Sequence, residues 1–255
     1  MQKPVVIKVG GHQVEDSVFL TDLASAIKSM NMPVVIVHGG GKEISTLQEK
    51  LGIEPRYLDG VRITDAASLS IVEMVLCGAV NKRLVRYLVA GGVDALGISG
   101  VDRGLVFATK MQHPTVDMGF TGAVAAVRYD VLFDLLERGV TPVIAPICYG
   151  ADSNYNVNAD HVAGAIAVAL GSQRVVFLTN VEGVLVNGGV VSHLTAEEAR
   201  ALIANGTIFG GMIPKVETAL KALVDGVPES VITNLAGLKA EGGTVFRGET
   251  GRVLG

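Results

Sequence analysis

The sequence predicts an α/β fold, a three-layer αβα sandwich around a mainly parallel central sheet, and three observations predict it. Continuous apolar runs of strand length alternate with longer segments of helical period, as expected for strands buried on both faces by crossover helices. Glycines cluster where those runs end, and there are 32 in 255 residues without a triplet period, above the ~7% of an average protein. No linker, charge block or internal repeat interrupts the pattern. The reading is therefore one domain over residues 1–255, with an N-terminal lobe of about 1–150 and a C-terminal lobe of about 151–255 sharing one sheet.

The elements follow in order. Residues 5–9 and 33–37 read as the first two strands. Between them Val18, Leu20, Leu23, Ala24, Ile27 and Met30 recur at three- and four-residue steps, one helical face over the sheet. Helices are expected over 43–51, 65–77 and 80–89, the second capped by Thr64. Leu69, Val72 and Leu76 on it form a stripe for a dimer face or for packing in its own lobe. A third strand covers 95–98. Residues 104–127 change to short β-type segments around Gly119 and Gly122, a hairpin or edge sheet. Crossover alternation returns with a helix at 129–138, a strand at 142–147, a helix at 159–170 and a strand at 174–178. Helices near 195–205 and 213–224 and strands at 231–233 and 244–246 complete the chain.

Composition bounds the function. A chain with 49% hydrophobic and 18% charged residues and a mean hydropathy of +0.45 is not disordered, and at this length it buries roughly three quarters of its unfolded surface. No apolar run approaches the ~20 residues of a bilayer span, and the first residues lack the ~7–15-residue apolar core of a signal peptide. Cys77 and Cys148 show no metal-type spacing and read as a buried, reduced pair. Together these features point to the cytoplasm. A net charge of −4 and a pI of 5.7 argue against a nucleic-acid surface and for a small-molecule partner.

Neither GxxxxGK[ST] nor a strand-to-helix GxGxxG occurs, so P-loop and dinucleotide readings lose their main support. Instead Lys8-Val9-Gly10-Gly11 ends the first strand, and His38-Gly39-Gly40-Gly41-Lys42 ends the second and opens a helix. Bare glycines at such ends let an anion reach backbone N–H groups, with the helix N-terminus adding favourable potential. A single such turn needs glycine for geometry alone; two in adjacent strands beside a lysine point to a ligand. Asn156-Val157-Asn158-Ala159-Asp160 precedes an apolar helix. One of its polar residues serves as a cap, but three within five exceed what capping requires. Gly210-Gly211-Met212-Ile213-Pro214-Lys215 places a lysine in the first turn of a helix, the wrong end for a cation unless an anion binds there.

These stretches resemble the amino-acid kinase family, and within it the branch that phosphorylates acetylglutamate, over almost the whole chain and in order. The motifs are Ile7-Lys8-Val9-Gly10-Gly11, Val37-His38-Gly39-Gly40-Gly41, Asp59-Gly60-Val61-Arg62-Ile63-Thr64-Asp65, Val72-Glu73-Met74-Val75, Val80-Asn81-Lys82, Asn156 to Asp160 and Gly211-Met212-Ile213-Pro214-Lys215. The resemblance implies transfer of the γ-phosphoryl group of ATP, carried with Mg2+, to the side-chain carboxylate of N-acetyl-L-glutamate, a step of arginine biosynthesis. A carboxylate is already a nucleophile at neutral pH, so the task is alignment and charge stabilisation.

By the family's pattern Lys8 and Lys215 stabilise the transferring group from opposite sides and Asp160 orients both ammonium groups. Gly11, Gly40 and Gly41 offer backbone N–H groups, Arg62 with Asn156 beside it clamps the substrate α-carboxylate, and Asn158 completes the substrate set. The resemblance implies a nucleotide site from Gly10, Thr179, Asn180, Val181, Gly183 and Leu185, with the loop of Ile208, Phe209 and Gly211. It implies no dedicated protein cage for the metal.

Asn180 stands where the family commonly has aspartate. The chain starts almost at its first strand, without the helical extension that accompanies arginine-inhibited hexamers in the family, which implies an arginine-insensitive homodimer. Two alternatives stay open within the family. One is a kinase for aminoadipate or glutamate linked to a carrier protein, which the stretch Glu73 to Gly78 and Asn180 resemble. The other is a regulatory nucleotide-binding module without turnover, whose expected mark would be loss of Lys8, Asp160 or Lys215.

Overall fold

Successive residues of a strand point to opposite faces, and in β1 (Val5–Val9) both faces are covered. Val5, Ile7 and Val9 join one apolar core, while Val6 joins the other. The computed structural model describes residues 2–11 and 13–248, so the last seven residues of the expected C-terminal lobe lie outside the described part. α1 (Ser17–Ser29) starts on Asp16, whose carboxylate accepts from the N–H groups of Val18 and Phe19. Its buried face, Leu20, Leu23 and Ile27, packs on the side of Ile7. β2 (Val34–His38) then pairs parallel with β1, and α2 (Gly41–Lys50) begins at once from its glycines, two residues earlier than periodicity alone predicts.

Next comes a hairpin absent from the element list read off the sequence, β3 (Arg56–Leu58) and β4 (Val61–Ile63). Its two-residue turn, Asp59 and Gly60, has positive φ at both positions, 48° and 79°, the geometry that an Asp-Gly pair favours. α3 (Ala66–Glu73) is capped by Asp65, which accepts from Ser68 N, and not by Thr64. The predicted break before residue 80 is also corrected: the chain continues through a π-helical turn, Met74–Val80, into α4 (Asn81–Ala90). A lone glycine weakens a helix without ending it, and Gly78 leaves open space where a side chain would stand. The stripe Leu69, Val72 and Leu76 is buried in its own lobe, so these residues form no external dimer face.

β5 (Ala95–Gly100) precedes an antiparallel pair, β6 (Val106–Lys110) and β7 (Thr121–Val127), as the change of pattern anticipates. α5 (Tyr129–Glu137) leads to the long, buried β8 (Thr141–Tyr149), then to β9 (Asn154–Val157), a short strand that the sequence reading missed, and α6 (Ala159–Ala169). The C-terminal part comprises β10 (Arg174–Leu178), the small hairpin β11 (Leu185–Val186) and β12 (Gly189–Val190), β13 (His193–Thr195), α7 (Ala196–Ala204), α8 (Met212–Val224), β14 (Glu229–Thr233), α9 (Leu235–Ala240) and β15 (Thr244–Arg247).

The main sheet runs β13-β15-β14-β10-β1-β2-β8-β6-β7-β9, with β5 also on β8. β1 is parallel to both neighbours: Lys8 lies opposite Phe177 on one side and Val37 on the other. Because α1 carries the chain from β1 to β2 while β10 closes the other flank, the strand order switches direction at β1/β10. Open α/β sheets bind ligands at the carboxyl ends of strands at such a switch point.

Candidate active site

Lys8 shares the face of Val6, the side on which Val162 and Ile166 of α6 pack. α6 starts after Asn158, whose side chain accepts from Asp160 N at 2.8 Å. That cap sets Asp160 in the first turn, where Lys8 Nζ meets Asp160 Oδ1 at 2.9 Å with both side chains about four-fifths covered. Asp160 does not hold the second lysine. Lys215, in the first turn of α8, donates instead to Asn180 Oδ1 at 3.5 Å. The lysine projects toward the end of β10, so its nearest acceptor there is a neutral amide.

Lys8, Lys215, Asp160, Asn158, Gly10, Gly11, Thr179 and Asn180 line one cleft of about 690 Å3 at the β1/β10 switch point. The turn residues Asp59, Gly60 and Val61 form part of its wall. His161, Glu217, Thr218 and Lys221 line it too and were not anticipated, because only the fold brings α6 and α8 side by side. Burial lowers the pKa of His161. Two other hollows, beside Tyr57 (about 570 Å3) and beneath Val34 (about 350 Å3), collect none of the predicted site residues.

The glycine loops touch each other. A Cβ on Gly11 would stand 2.8 Å from Gly40 N, and one on Gly40 would stand 2.6 Å from Leu76 Cδ2. Gly11, which meets backbone, therefore requires glycine for packing, while at Gly40 the buried Leu76 side chain would have to shift. Gly41 differs: nothing lies within 4 Å of a Cβ there, so its bare backbone at the N-terminus of α2 faces open space. Beneath this loop His38 is fully buried, with burial lowering its pKa from 6.5 to about 4. Its Nδ1 lies 2.9 Å from Gly39 O, which only accepts, so Nδ1 carries the proton and Nε2 accepts from Asn81 Nδ2 at 3.1 Å. Asn81 also donates to Val143 O, tying the loop to β8.

Arg62 is buried, not an exposed turn residue. Its Nη1 donates to Gln48 Oε1, and its Nη2 donates to Gly41 O (3.0 Å), Ser45 Oγ (2.8 Å) and Tyr57 Oη (2.6 Å). The Tyr57 ring centroid is 4.8 Å from the guanidinium carbon. Burial is the main cause lowering the guanidinium pKa. Arg62 appears in no ion pair among the described residues, which leaves a fixed cation beside the first turn of α2. Asn156 does not touch Arg62: its Nδ2 donates to Thr64 Oγ1 at 3.0 Å, and Thr121 Oγ1 donates to Arg62 O at 2.6 Å. Of the supporting ring, Ser45 and Gln48 carried no sequence signal beyond helical spacing on α2, and Tyr57, on β3, carried none.

The expected nucleotide set divides. Gly10, Thr179 and Asn180 line the cleft; Val181, Gly183, Leu185, Phe209 and Gly211 do not. Ile208 is a core side chain, 2% exposed, because the turn after α7 folds it inward. Gly183 has a structural reason to be glycine, since a Cβ would meet Thr244 Oγ1 at 2.6 Å. Leu185 and Phe209 are exposed. Among the described residues no group of three or more His, Cys, Asp or Glu is arranged to hold a metal ion, and no helix is long and apolar enough to cross a membrane. Cys77 and Cys148 are free thiols, and burial raises the pKa of both.

The model of the amino acid kinase family matches residues 3–234. The acetylglutamate kinase of Roseiflexus sp. (strain RS-1) is 56% identical over 242 residues, covering 95% of this chain and 93% of that protein. The acetylglutamate kinase of Methanopyrus kandleri is 45% identical over 251 residues, 95% and 99% of the two chains. Among solved structures, N-acetylglutamate synthase from Neisseria gonorrhoeae, complexed with coenzyme A and N-acetyl-glutamate, matches with a TM-score of 0.84 at 22% identity. The match covers 98% of this chain and 60% of that one, a likeness of fold alone.

Proposed function

The chain belongs to the amino acid kinase family, and from that premise we propose that it transfers the γ-phosphoryl group of ATP to the side-chain carboxylate of N-acetyl-L-glutamate, yielding N-acetyl-L-glutamyl 5-phosphate and ADP for arginine biosynthesis. One observation carries the reading: two lysines, one held by Asp160, line a single cleft at the β1/β10 switch point, where glycine backbones lie bare. The relatives named acetylglutamate kinase supply the substrate.

A carboxylate oxygen attacks the γ-phosphorus, a P–O bond forms, the β–γ bridging P–O bond breaks, and its electrons leave on ADP. No proton moves, so no general base is needed. Charge accumulates on the transferring oxygens, and fixed cations and N–H donors around them lower the barrier. Lys8, its ammonium placed by Asp160, and Lys215 supply the cations, with N–H groups of Gly11, Gly40 and Gly41 as donors. Arg62, with its partners on α2, holds the substrate α-carboxylate, and Asn156 and Asn158 complete that side.

ATP enters over Gly10, Thr179 and Asn180. Among the described residues no group of three or more His, Cys, Asp or Glu is arranged for a metal ion, so in this proposal Mg2+ would come on the nucleotide and neutralise phosphate charge. The two lobes divide the acceptor from the nucleotide. A homodimer is part of the proposal, its support being Met74, a large apolar side chain left 58% exposed on the π-helical turn.

The test is hydroxylamine trapping of acyl phosphate with Mg-ATP and, separately, N-acetyl-L-glutamate, glutamate and N-acetyl-aminoadipate. Hydroxamate with acetylglutamate alone is the expected result. No hydroxamate from a folded, ATP-binding protein would move the reading to a carrier-linked substrate or a silent module.

A further inference from the structure

Gln13 lies between β1 and α1, and its side chain reaches across to the end of β10, where Nε2 donates to Thr179 O at 2.8 Å. A backbone carbonyl only accepts, so the NH2 group must face Thr179 and Oε1 must face away from it. Oε1 is closed to solvent and accepts from no donor among the described residues. It lies against Gly10, where a Cβ would stand 3.3 Å from it, and Gln13, Gly10, Thr179 and Asn180 line the same cleft. A buried acceptor left without a donor weakens the fold unless something supplies one.

We infer that Gln13 is a nucleotide-positioning residue whose Oε1 accepts a hydrogen bond from a donor that bound Mg-ATP carries into the cleft, with the other end of the amide tying that contact to Thr179. This rests on the ATP-dependent reading above. The ionised triphosphate has no donor of its own. The hydrogen comes from a sugar hydroxyl, from the adenine amino group or from a water bound to the metal ion. Acetylglutamate is the wrong ligand for it: its proposed clamp, Arg62, is anchored on α2, whereas Gln13 spans β1 and β10.

The experiment is titration calorimetry of the full chain and of Gln13→Met with Mg-ATP, ATP in excess chelator, Mg-2′,3′-dideoxyATP and N-acetyl-L-glutamate. Methionine keeps the bulk and removes both polar atoms. The expected result is about tenfold weaker binding of Mg-ATP by the variant, with acetylglutamate affinity unchanged. A difference that disappears on chelation identifies the metal-bound water; one that survives chelation and disappears with the dideoxy nucleotide identifies the sugar. Both support the inference. Equal Mg-ATP affinity in the two proteins overturns it. So does an equal loss toward acetylglutamate, which marks Gln13 as a strut only; a difference that survives both changes of nucleotide identifies the adenine amino group and supports the inference. If the unaltered chain binds no ATP, the ATP-dependent reading fails as well; if it binds ATP and the variant binds equally, only the role of Gln13 fails.

Discussion

Behind the cleft wall of Asp59, Gly60 and Val61, on the proposed acceptor side, Arg62 is fixed by four hydrogen bonds and an aromatic face, and the neighbouring glycine loop rests on the buried pair His38 and Asn81. On the proposed nucleotide side Lys215 meets one neutral acceptor at 3.5 Å. Lys8, between them, has a single carboxylate at 2.9 Å. The surroundings of Arg62 are thus organised by the protein's own contacts, while Lys215 is held by few. Placing a cation in advance lowers the entropy cost of alignment.

The largest effect expected from this contrast is on Lys8. Lys8→Met should lower kcat by ~10^3-fold, about 4 kcal/mol of barrier, with the KM for acetylglutamate within a few fold, because the charge matters most in the transition state. Steady-state kinetics against both substrates checks it. A comparable loss confined to KM would make Lys8 a binding residue and dissolve the distinction between it and Arg62.

The buried support of the acceptor side has its own pH signature. His38 has a folded pKa of about 4 against 6.5 for the unfolded ring. Below pH 6.5 the unfolded chain takes up a proton that the folded chain refuses, so this contribution is intact above pH 6.5 and erodes as pH falls toward 4. Its full size is up to about 3 kcal/mol. Denaturant unfolding between pH 7.5 and 4.5 should show the decline, and His38→Gln should flatten that part of the profile. An unchanged profile would mean that the ring does not bear on the loop.

Arg62→Lys tests the fixed cation more gently. Lysine keeps the charge but cannot fork onto a carboxylate or reach all four partners. The KM for acetylglutamate should rise ~10- to 50-fold with kcat changed less than threefold, a loss of binding rather than of chemistry. An equal fall in kcat would place Arg62 among the groups that act on the transferring phosphoryl.

The contrast also explains what the sequence disclosed. The central strands were legible because both faces of each are apolar, and Lys8 stood out as a charge inside the apolar run of β1. Backbone-driven features were legible too, as with Gly11, where the backbone of Gly40 leaves no room for a side chain. The hairpin at Asp59 and Gly60 escaped notice because three-residue strands carry no periodicity, and β9 because its polar residues read as a helix start. The partners of Arg62 lay hidden for a different reason. Gln48, Ser45 and Tyr57 are ordinary residues whose role exists only after α2 and the hairpin pack together. The nucleotide loop was over-read: a resemblance assigns positions, but Ile208 is claimed by the core.

The smallest expected effect probes the looser side directly. In Asn180→Asp a carboxylate would stand about where the amide now accepts from Lys215 at 3.5 Å. The pair is exposed, and such pairs contribute ~0.2–1 kcal/mol because water and side-chain entropy offset the attraction. The unfolding free energy should therefore rise by a few tenths of a kcal/mol at low salt. The gain should vanish near 1 M salt, where the screening length is ~3 Å. A rise above about 2 kcal/mol that persists in salt would mean that the new carboxylate sits in a protected site. The surroundings of Lys215 would then be as enclosed as those of Arg62, and Lys215 as firmly placed as Lys8.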